Sequence, residues 1–336
     1  MKKSKVSIAM ATYNGEKYLQ EQLDSFCRQT FLPFELVVYD DCSSDGTCEI
    51  IENFKKMAPF SVKLIRGSKN LGGSVVIGYG LSFSEAANAC SGDYIFFSDQ
   101  DDVWFNNKIE KHLELYGSNP NVSVITSKPH NVDENLNEIT NRKSNPFADC
   151  ITSKYVMGCC SSIKKEFIDL ILPIRPGCSH DWWITICSDS VGQFLEVDDE
   201  LQLYRLHGNQ TSKVFGNKQC GPLEKLKKSI RGYLEDREYK HIATELEIWN
   251  YRITAIDEIS TKLRQQFPDY YHLHGERYYC EMKKIQNALK SRLQLRKMRF
   301  MNRLKHIVNN FSSWYRTRGE KNLSASLKYA FKDLVL

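Results

Sequence analysis

The chain has 336 residues, 41% hydrophobic and 26% charged: enough apolar side chain for one large core or two smaller ones, with no low-complexity tracts that would indicate extended disorder. The net charge of +5 is unevenly spread. Residues 1–215 carry 21 Lys and Arg against 28 Asp and Glu, a balance of −7, and residues 216–336 carry 25 against 13, a balance of +12, so an acidic part and a basic part face different partners. No stretch approaches the roughly 20 apolar residues of a membrane-crossing helix. Eleven cysteines without a Cys-x-x-Cys pair argue against a disulfide framework and a zinc cage, and for reduced thiols in a cytoplasmic protein.

Met1-Lys-Lys-Ser-Lys5 has the charge of a signal-peptide start, but the apolar run behind it is short and no small-residue cleavage site follows. Val6 to Ala11 reads as a buried strand ending in Thr12-Tyr-Asn-Gly-Glu16. Leu19, Leu23, Phe26 and Thr30 then give an amphipathic helix, with Asn14 as its N-cap and Glu16 in its first turn. Phe34 to Tyr39 is the second strand, running into Asp40-Asp41-Cys-Ser-Ser-Asp45, and Ile50, Ile51, Phe54 and Met57 mark the next helix. Ser61 to Ile65 is the third strand, followed by Asn70-Leu-Gly-Gly-Ser74 and a helix through Val76, Tyr79, Phe83 and Ala87. The fourth strand is the aromatic run Tyr94 to Phe97, which stops in Asp99-Gln100-Asp101-Asp102.

Four rounds of apolar strand, polar loop and helix predict an α/β fold with a parallel sheet and right-handed crossovers. In such a sheet the loops after the strands share the carboxyl edge, where ligands bind. The clusters at 12–16, 40–45, 70–74 and 99–102 are therefore expected to line one crevice. No Gly-x-Gly-x-x-Gly follows the first strand and no Walker lysine loop is present, which disfavours a nicotinamide site and a P-loop. Three carboxylates in four residues repel one another unless a cation lies among them, and hard ions such as Mg²⁺ and Mn²⁺ take oxygen ligands. The alternative is a solvated acidic turn, which is costly at the end of a buried strand.

Ile109, Leu113 and Tyr116 predict a helix after Trp104, and Val122 to Thr126 a strand; 131–146 reads as a mobile polar loop. Tyr155 to Ser162 reads as a strand, followed by a short helix to Leu172 and a turn over Pro173–Gly177. Ser179-His-Asp-Trp-Trp183 opens another helix, and Phe194 to Leu206 is a last strand ending at His207. Asp181 serves either as an N-cap or as a chemical group. Trp182 and Trp183 point apart on a helix, so one is expected in the core and one stacked on a ligand. His180 reads as a surface histidine or as a group tuning Asp181.

Thr12-Tyr-Asn-Gly-Glu16, Asp40-Asp-Cys-Ser-Ser-Asp45, Ser98-Asp-Gln-Asp-Asp-Val-Trp104 and His180-Asp-Trp-Trp183 resemble family 2 glycosyltransferases over roughly residues 5–211, a boundary good to a few residues. The flavour is that of rhamnosyltransferase-like members in bacterial surface polysaccharide synthesis. The resemblance implies a GT-A fold, with 1–104 as the nucleotide-sugar half and 105–215 as the acceptor half of a catalytic domain, and 216–336 as a basic helical region. It implies inverting transfer of a sugar, with rhamnose as one candidate, from a nucleotide diphosphate donor to a saccharide or lipid-linked saccharide acceptor. Carried over, Thr12, Tyr13, Asn14, Glu16, Asp40, Asp41, Asn70, Asp99 and Gln100 lie at the donor; Asp99, Asp101 and His207 hold Mn²⁺ or Mg²⁺; Asp181 is the catalytic base; and Trp182 and Trp183 face the acceptor. Two departures stand out: Cys42 replaces the usual glycine, and Val75 and Val76 lie where an arginine is common. A sugar nucleotidyltransferase, or a non-catalytic membrane or nucleic-acid adaptor, are the alternatives.

In the basic part, Ile242, Leu246, Trp249, Ile253, Ile256, Ile259, Leu263 and Phe267 keep steps of three and four until Pro268, and Tyr278, Met282, Ile285 and Leu289 begin a second helix, a helical hairpin. Beyond it, Met298, Met301, Leu304, Val308, Phe311 and Tyr315 share a face beside Arg292, Arg296, Lys297, Arg299, Arg303 and Lys305. Such a helix suits an anionic membrane surface, placing the protein peripherally on the inner face of the cell membrane. No nucleic-acid recognition motif accompanies it, and no nucleic-acid partner is expected.

Overall fold

In the computed structural model, residues 4–72, 80–139, 157–208 and 237–295 are described. The chain divides into two compact units, Met1–Phe215 with Ile259–Gly275, and Gly216–Glu258 with Glu276–Leu336.

The first unit is built on one eight-stranded sheet. Its elements are β1 (Val6–Thr12), α1 (Leu19–Cys27), β2 (Glu35–Asp40), α2 (Thr47–Met57), β3 (Ser61–Arg66), α3 (Gly80–Asn88) and β4 (Tyr94–Ser98). They continue with β5 (Val103–Trp104), α4 (Lys108–Ser118), β6 (Val124–Val132), a 3-10 turn (Gly158–Cys160), β7 (Ser161–Lys164), α5 (Lys165–Ile171), α6 (His180–Asp189) and β8 (Phe194–Arg205). The sheet order is β3-β2-β1-β4-β7-β6-β8-β5. β3, β2, β1 and β4 are mutually parallel, as the strand–loop–helix alternation predicts; β7 then runs antiparallel to both β4 and β6. The chain leaves β1 toward β2 on one side and returns to β4 on the other, so a topological switch lies between β1 and β4.

The core explains the strand sequences. Val6, Ile8, Met10, Leu36, Val38 and Phe96 are fully buried, as strands covered by helices must be. Leu19, Leu23 and Phe26 of α1, Ile51 and Phe54 of α2, and Trp104 with Ile109 close over them. Met57 at the end of α2 is 77% exposed, so the helical stripe overshoots the core by one turn.

Several expectations are corrected. Helix α1 begins at Leu19 behind Tyr18, and Asn14 does not cap it; Thr30 lies beyond its end. β6 runs on to Val132, because pairing with β8 continues past shifts in register at 126–129, and the expected loop starts only afterwards. Cys159 and Cys160 lie in a 3-10 turn, not a strand. Ser74, Val75, Val76 and Tyr79, residues 140–156, and everything after Leu295 lie outside the described residues, including the basic face through Tyr315.

A buried polar knot joins α4 to β7: His112 Nδ1 and the Tyr116 hydroxyl both meet Ser162 Oγ, at 2.7 and 3.1 Å. Burial and the Lys108 charge hold the His112 imidazole well below 6.5, so it stays neutral in the fold. A depressed native pKa means that the unfolded chain takes up a proton the native one refuses. Stability is therefore lost as pH falls below about 6.5, by up to ~1.4 kcal/mol per unit. In urea titrations, the stability difference between the parent and His112→Gln should change by about 2 kcal/mol between pH 7 and pH 5. Parallel stability curves would show that the imidazole is not shielded.

In the second unit and the turn joining its helices, α7 (Arg237–Gln266) ends two residues before Pro268, which opens α8 (Pro268–Leu295) at a position where a missing N–H costs nothing. Trp249, Ile253 and Ile256 on α7, and Tyr278, Met282, Ile285 and Leu289 on α8, are buried. Gln286 Nε2 donates to Asn250 Oδ1 at 2.7 Å. Among the described residues no helix is long and apolar enough to cross a membrane.

Candidate active site

The loops following β1, β2, β3 and β4 meet at the carboxyl edge. Asn14, at φ 47°, donates from its backbone N–H to Ser43 Oγ and accepts from the Ser44 N–H, at 2.9 and 2.8 Å. Glu16 N–H donates to Asp45, and the Glu16 carboxylate accepts from Gly46 N–H. Thr12 Oγ1 and Ser43 both donate to Asp40, which is 2% exposed and so pins β1 to the β2 loop. Asp41, 4% exposed, accepts from the Leu71 and Gly72 amides at 2.6 and 2.8 Å, while Asn70 Nδ2 donates to its carbonyl. The departure at Cys42 has a local cost, because this residue takes φ 69°, a conformation natural to glycine.

At the switch point, Gln100 locks the β4 loop to the β1 loop. Its Oε1 accepts from Tyr13 N–H and its Nε2 donates to Tyr13 O, at 2.9 and 3.0 Å. The amide passes so close to Gly15 that a Cβ there would meet Gln100 Oε1 at 2.3 Å. Tyr13 itself is 51% exposed at the crevice.

The acidic loop is the electrostatic centre. Asp101 Oδ2 meets His207 Nε2 at 2.8 Å, joining the end of β8 to the loop after β4. Burial first, and then the charge of Asp101, push the Asp99 carboxyl up to about 7; the charge of Asp181 adds to the same shift. Burial and the neighbouring charges of Asp101 and Asp99 also hold Asp102 well above the carboxylate range. Asp102 accepts from Gln202 Nε2 and Arg205 N–H at 2.7 and 3.1 Å. Beneath it Lys108, fully buried, donates to Cys159 O at 2.7 Å and to Gln202 Oε1, with its ammonium 4.0 Å from the Trp104 ring centroid.

The donor chemistry of Asp99, Asp101 and His207 suits Mn²⁺ or Mg²⁺: two crowded carboxylates and an imidazole. Among the described residues, the ligand atoms that all lie within 4.8 Å of one another are those of Asp99, Asp102 and Cys159, a group that leaves out Asp101 and His207. The oxygens of Asp102 are already engaged and the Lys108 ammonium lies alongside, so that trio forms the floor of the site.

Helix α6 carries Asp181. Ser179 takes the N-cap position and Asp181 stands in the first turn, half-buried, with its Oδ1 accepting from Trp182 N–H at 2.7 Å. Its charge is among those that raise the Asp99 carboxyl. The expectation for His180 is corrected. It is not on the surface but stacked on Phe83 at 3.8 Å and beside Phe97 at 5.5 Å. Both tryptophans are buried as well, Trp182 at 7% and Trp183 at 1% exposure, and Trp183 Nε1 donates to Ile171 O. Neither presents an open face to a sugar, because α6 is packed among α3, α5, the 3-10 turn and the strands β6 and β8.

A Cβ at Gly158 would lie 1.7 Å from His180 Nε2. Gly158→Ala should therefore push the start of α6 away from the 3-10 turn, costing ~1–3 kcal/mol as overpacking does. Thermal melts would register this as a fall of several degrees, and an unchanged midpoint would refute the packing.

Sequence patterns alone missed Arg205, Lys108, Gln202 and Gln22, whose Nε2 donates to Ser98 Oγ and Asp99 O. One signal was available: Arg205 interrupts an otherwise largely apolar strand end, Leu201–Leu206, and a buried arginine needs partners.

Residues 7–172 match the family model Glycosyl transferase family 2. An uncharacterized glycosyltransferase of Nostoc is 23% identical over 61% of this chain and 65% of its own length. A dTDP-rhamnosyl transferase, RfbG of Shigella flexneri, is 29% identical over 60% of this chain and 72% of its own. The match thus spans about two thirds of the length of each of these relatives. Among solved structures, Staphylococcus aureus TarS 1–349 in complex with UDP superposes with a TM-score of 0.51 at 16% identity, covering 85% of this chain and 91% of that one, a likeness of fold. A mostly parallel sheet whose carboxyl-edge loops gather an acidic centre, together with these matches, gives this chain a glycosyl transferase family 2 domain with a GT-A fold.

Proposed function

We propose that the protein is an inverting glycosyltransferase that moves a sugar from a nucleotide diphosphate donor to a saccharide acceptor in the assembly of a bacterial surface polysaccharide. The observation that carries this reading is the gathering of the post-strand loops around the crowded carboxylates of Asp99 and Asp101, with Asp101 Oδ2 2.8 Å from His207 Nε2. Departure of a nucleoside diphosphate develops negative charge, and attack by a sugar hydroxyl needs a base; the two requirements must be met a few ångströms apart.

In this reading Asp99, Asp101 and His207 hold Mn²⁺ or Mg²⁺, which when bound neutralises the diphosphate and orients it. Thr12, Tyr13, Asn14 and Glu16 shape the nucleotide side of the crevice, with Asp40, Asp41, Asn70 and Gln100 holding its loops. Asp40 works indirectly, since Thr12 and Ser43 already engage its carboxylate. Asp181 takes the proton of the attacking hydroxyl and leaves the anomeric centre inverted. RfbG is a dTDP-rhamnosyl transferase, which favours a deoxythymidine diphosphate sugar and rhamnose for this chain. The acceptor is a saccharide carried on lipid, brought to the enzyme at an anionic membrane surface by the basic residues beyond Leu295.

A panel of nucleotide sugars, scanned by thermal shift with and without Mn²⁺, tests the donor: a ligand of the native state raises the melting point. The turnover product then decides the reaction. Release of a nucleoside diphosphate supports sugar transfer, whereas release of pyrophosphate would replace it with nucleotidyl transfer.

A further inference from the structure

We propose that Arg205 is the positioning residue of the metal-binding face, holding Asp101 and Asp102 in register with His207. The proposal rests on the assignment of Asp99, Asp101 and His207 as metal ligands. Arg205 is 1% exposed and ends β8, two residues before His207. Its contacts reach three elements remote in sequence. The backbone N–H donates to Asp102 Oδ1 at 3.1 Å and Nε donates to Asp101 O at 2.8 Å. Nη1 donates to Glu134 O at 2.7 Å, and Nη2 donates to Glu21 Oε2 on α1. The guanidinium lies 4.5 Å from the Tyr18 ring centroid, and that ring in turn lies 4.8 Å from the His207 ring.

The direction of these bonds matters. Nε bonds the backbone carbonyl of Asp101, while the Asp101 carboxylate meets His207 Nε2. Arg205 thus grips the loop from behind, and the side chain that would bind an ion points at the imidazole. Only a planar fork with donors in several directions meets Asp101 O, Glu134 O and Glu21 together; a lysine offers its donors from one point and would drop at least two of them. Through Tyr18, the guanidinium also limits how far the His207 ring can swing.

The test is direct Mn²⁺ binding, followed by loss of the free-ion EPR signal, on full-length parent, Arg205→Lys, Asp101→Asn and Phe54→Leu. Phe54 is buried in α2 against Phe60 and bonds none of the acidic residues, so its variant controls for lost stability. Arg205→Lys should raise the Mn²⁺ dissociation constant at least about tenfold at a temperature where all the proteins are folded, and Phe54→Leu should stay within about twofold of the parent. A value for Arg205→Lys within about twofold of the parent would overturn the proposal. If Arg205→Lys does not fold, Glu21→Gln, which weakens only the outer arm, should still raise the constant about threefold, and no change there would overturn it equally. If the parent binds Mn²⁺ no better than Asp101→Asn, the assignment of the metal ligands fails first and the role of Arg205 toward them fails with it. That outcome is distinct from a parent that binds Mn²⁺ normally and an Arg205 variant that does so as well.

Discussion

Asp101→Ala is expected to lower kcat by at least ~10³ while leaving the protein folded. On the proposed function the loss combines two effects: a ligand to the ion that would neutralise the departing diphosphate, worth several kcal/mol of charge stabilisation, and the hydrogen-bond partner of His207. Raising Mn²⁺ should not restore the rate. Stability should behave in the opposite sense. Asp101 is the main neighbouring charge pushing the buried Asp99 carboxyl upward, so its removal relieves repulsion between like charges. A raised carboxyl pKa contributes stability at low pH that is lost as pH rises through about 7. At pH 8, therefore, the metal-free variant should melt no lower than the metal-free parent. Nucleoside diphosphate release and melting curves measure the two effects side by side. Activity within about tenfold of the parent in the presence of chelator would remove the metal from the mechanism.

Asp181→Asn is expected to lower kcat by ~10²–10⁴, the range of a positioned general base, with the donor KM nearly unchanged. Asparagine keeps the size of the side chain and an oxygen for the Trp182 N–H, and Ser179 still takes the N-cap position of α6. The fold should therefore survive. The competing view makes Asp181 only a favourable charge at a helix start, worth ~0.3–1 kcal/mol to stability. On that view the variant would melt slightly lower and turn over at nearly the parent rate. A loss of less than about fivefold would favour the second view and leave the reaction without a base.

Both predictions depend on features with different visibility in the sequence. The acidic loop was legible because Tyr94 to Phe97 is a continuous aromatic run that stops abruptly in charge, and strands buried on both faces read that way. The helix carrying Asp181 was legible from its apolar residues, but its depth was not: His180, Trp182 and Trp183 all look amphipathic in isolation, and packing buries all three. Asn14 reads as a helix cap by residue type, yet a positive φ turns its side chain across to Ser44, because the β1 and β2 loops need a hydrogen-bonded seam more than α1 needs a cap. The 3-10 turn at Gly158–Cys160 went unread for a similar reason: its β-forming neighbours mask a turn forced by contact with His180.

The sequence by itself determined the parallel half of the sheet, the edge on which its loops gather, and the carboxylates at the end of β4, since alternation of apolar and polar residues encodes strand, loop and helix locally. Only the tertiary structure decided which groups meet there. His207 reaches Asp101 across 106 positions, and Arg205 reaches Glu21 across 184. Such pairs leave no periodic trace, because a buried charge is fixed by where its partner arrives in space and not by its neighbours along the chain.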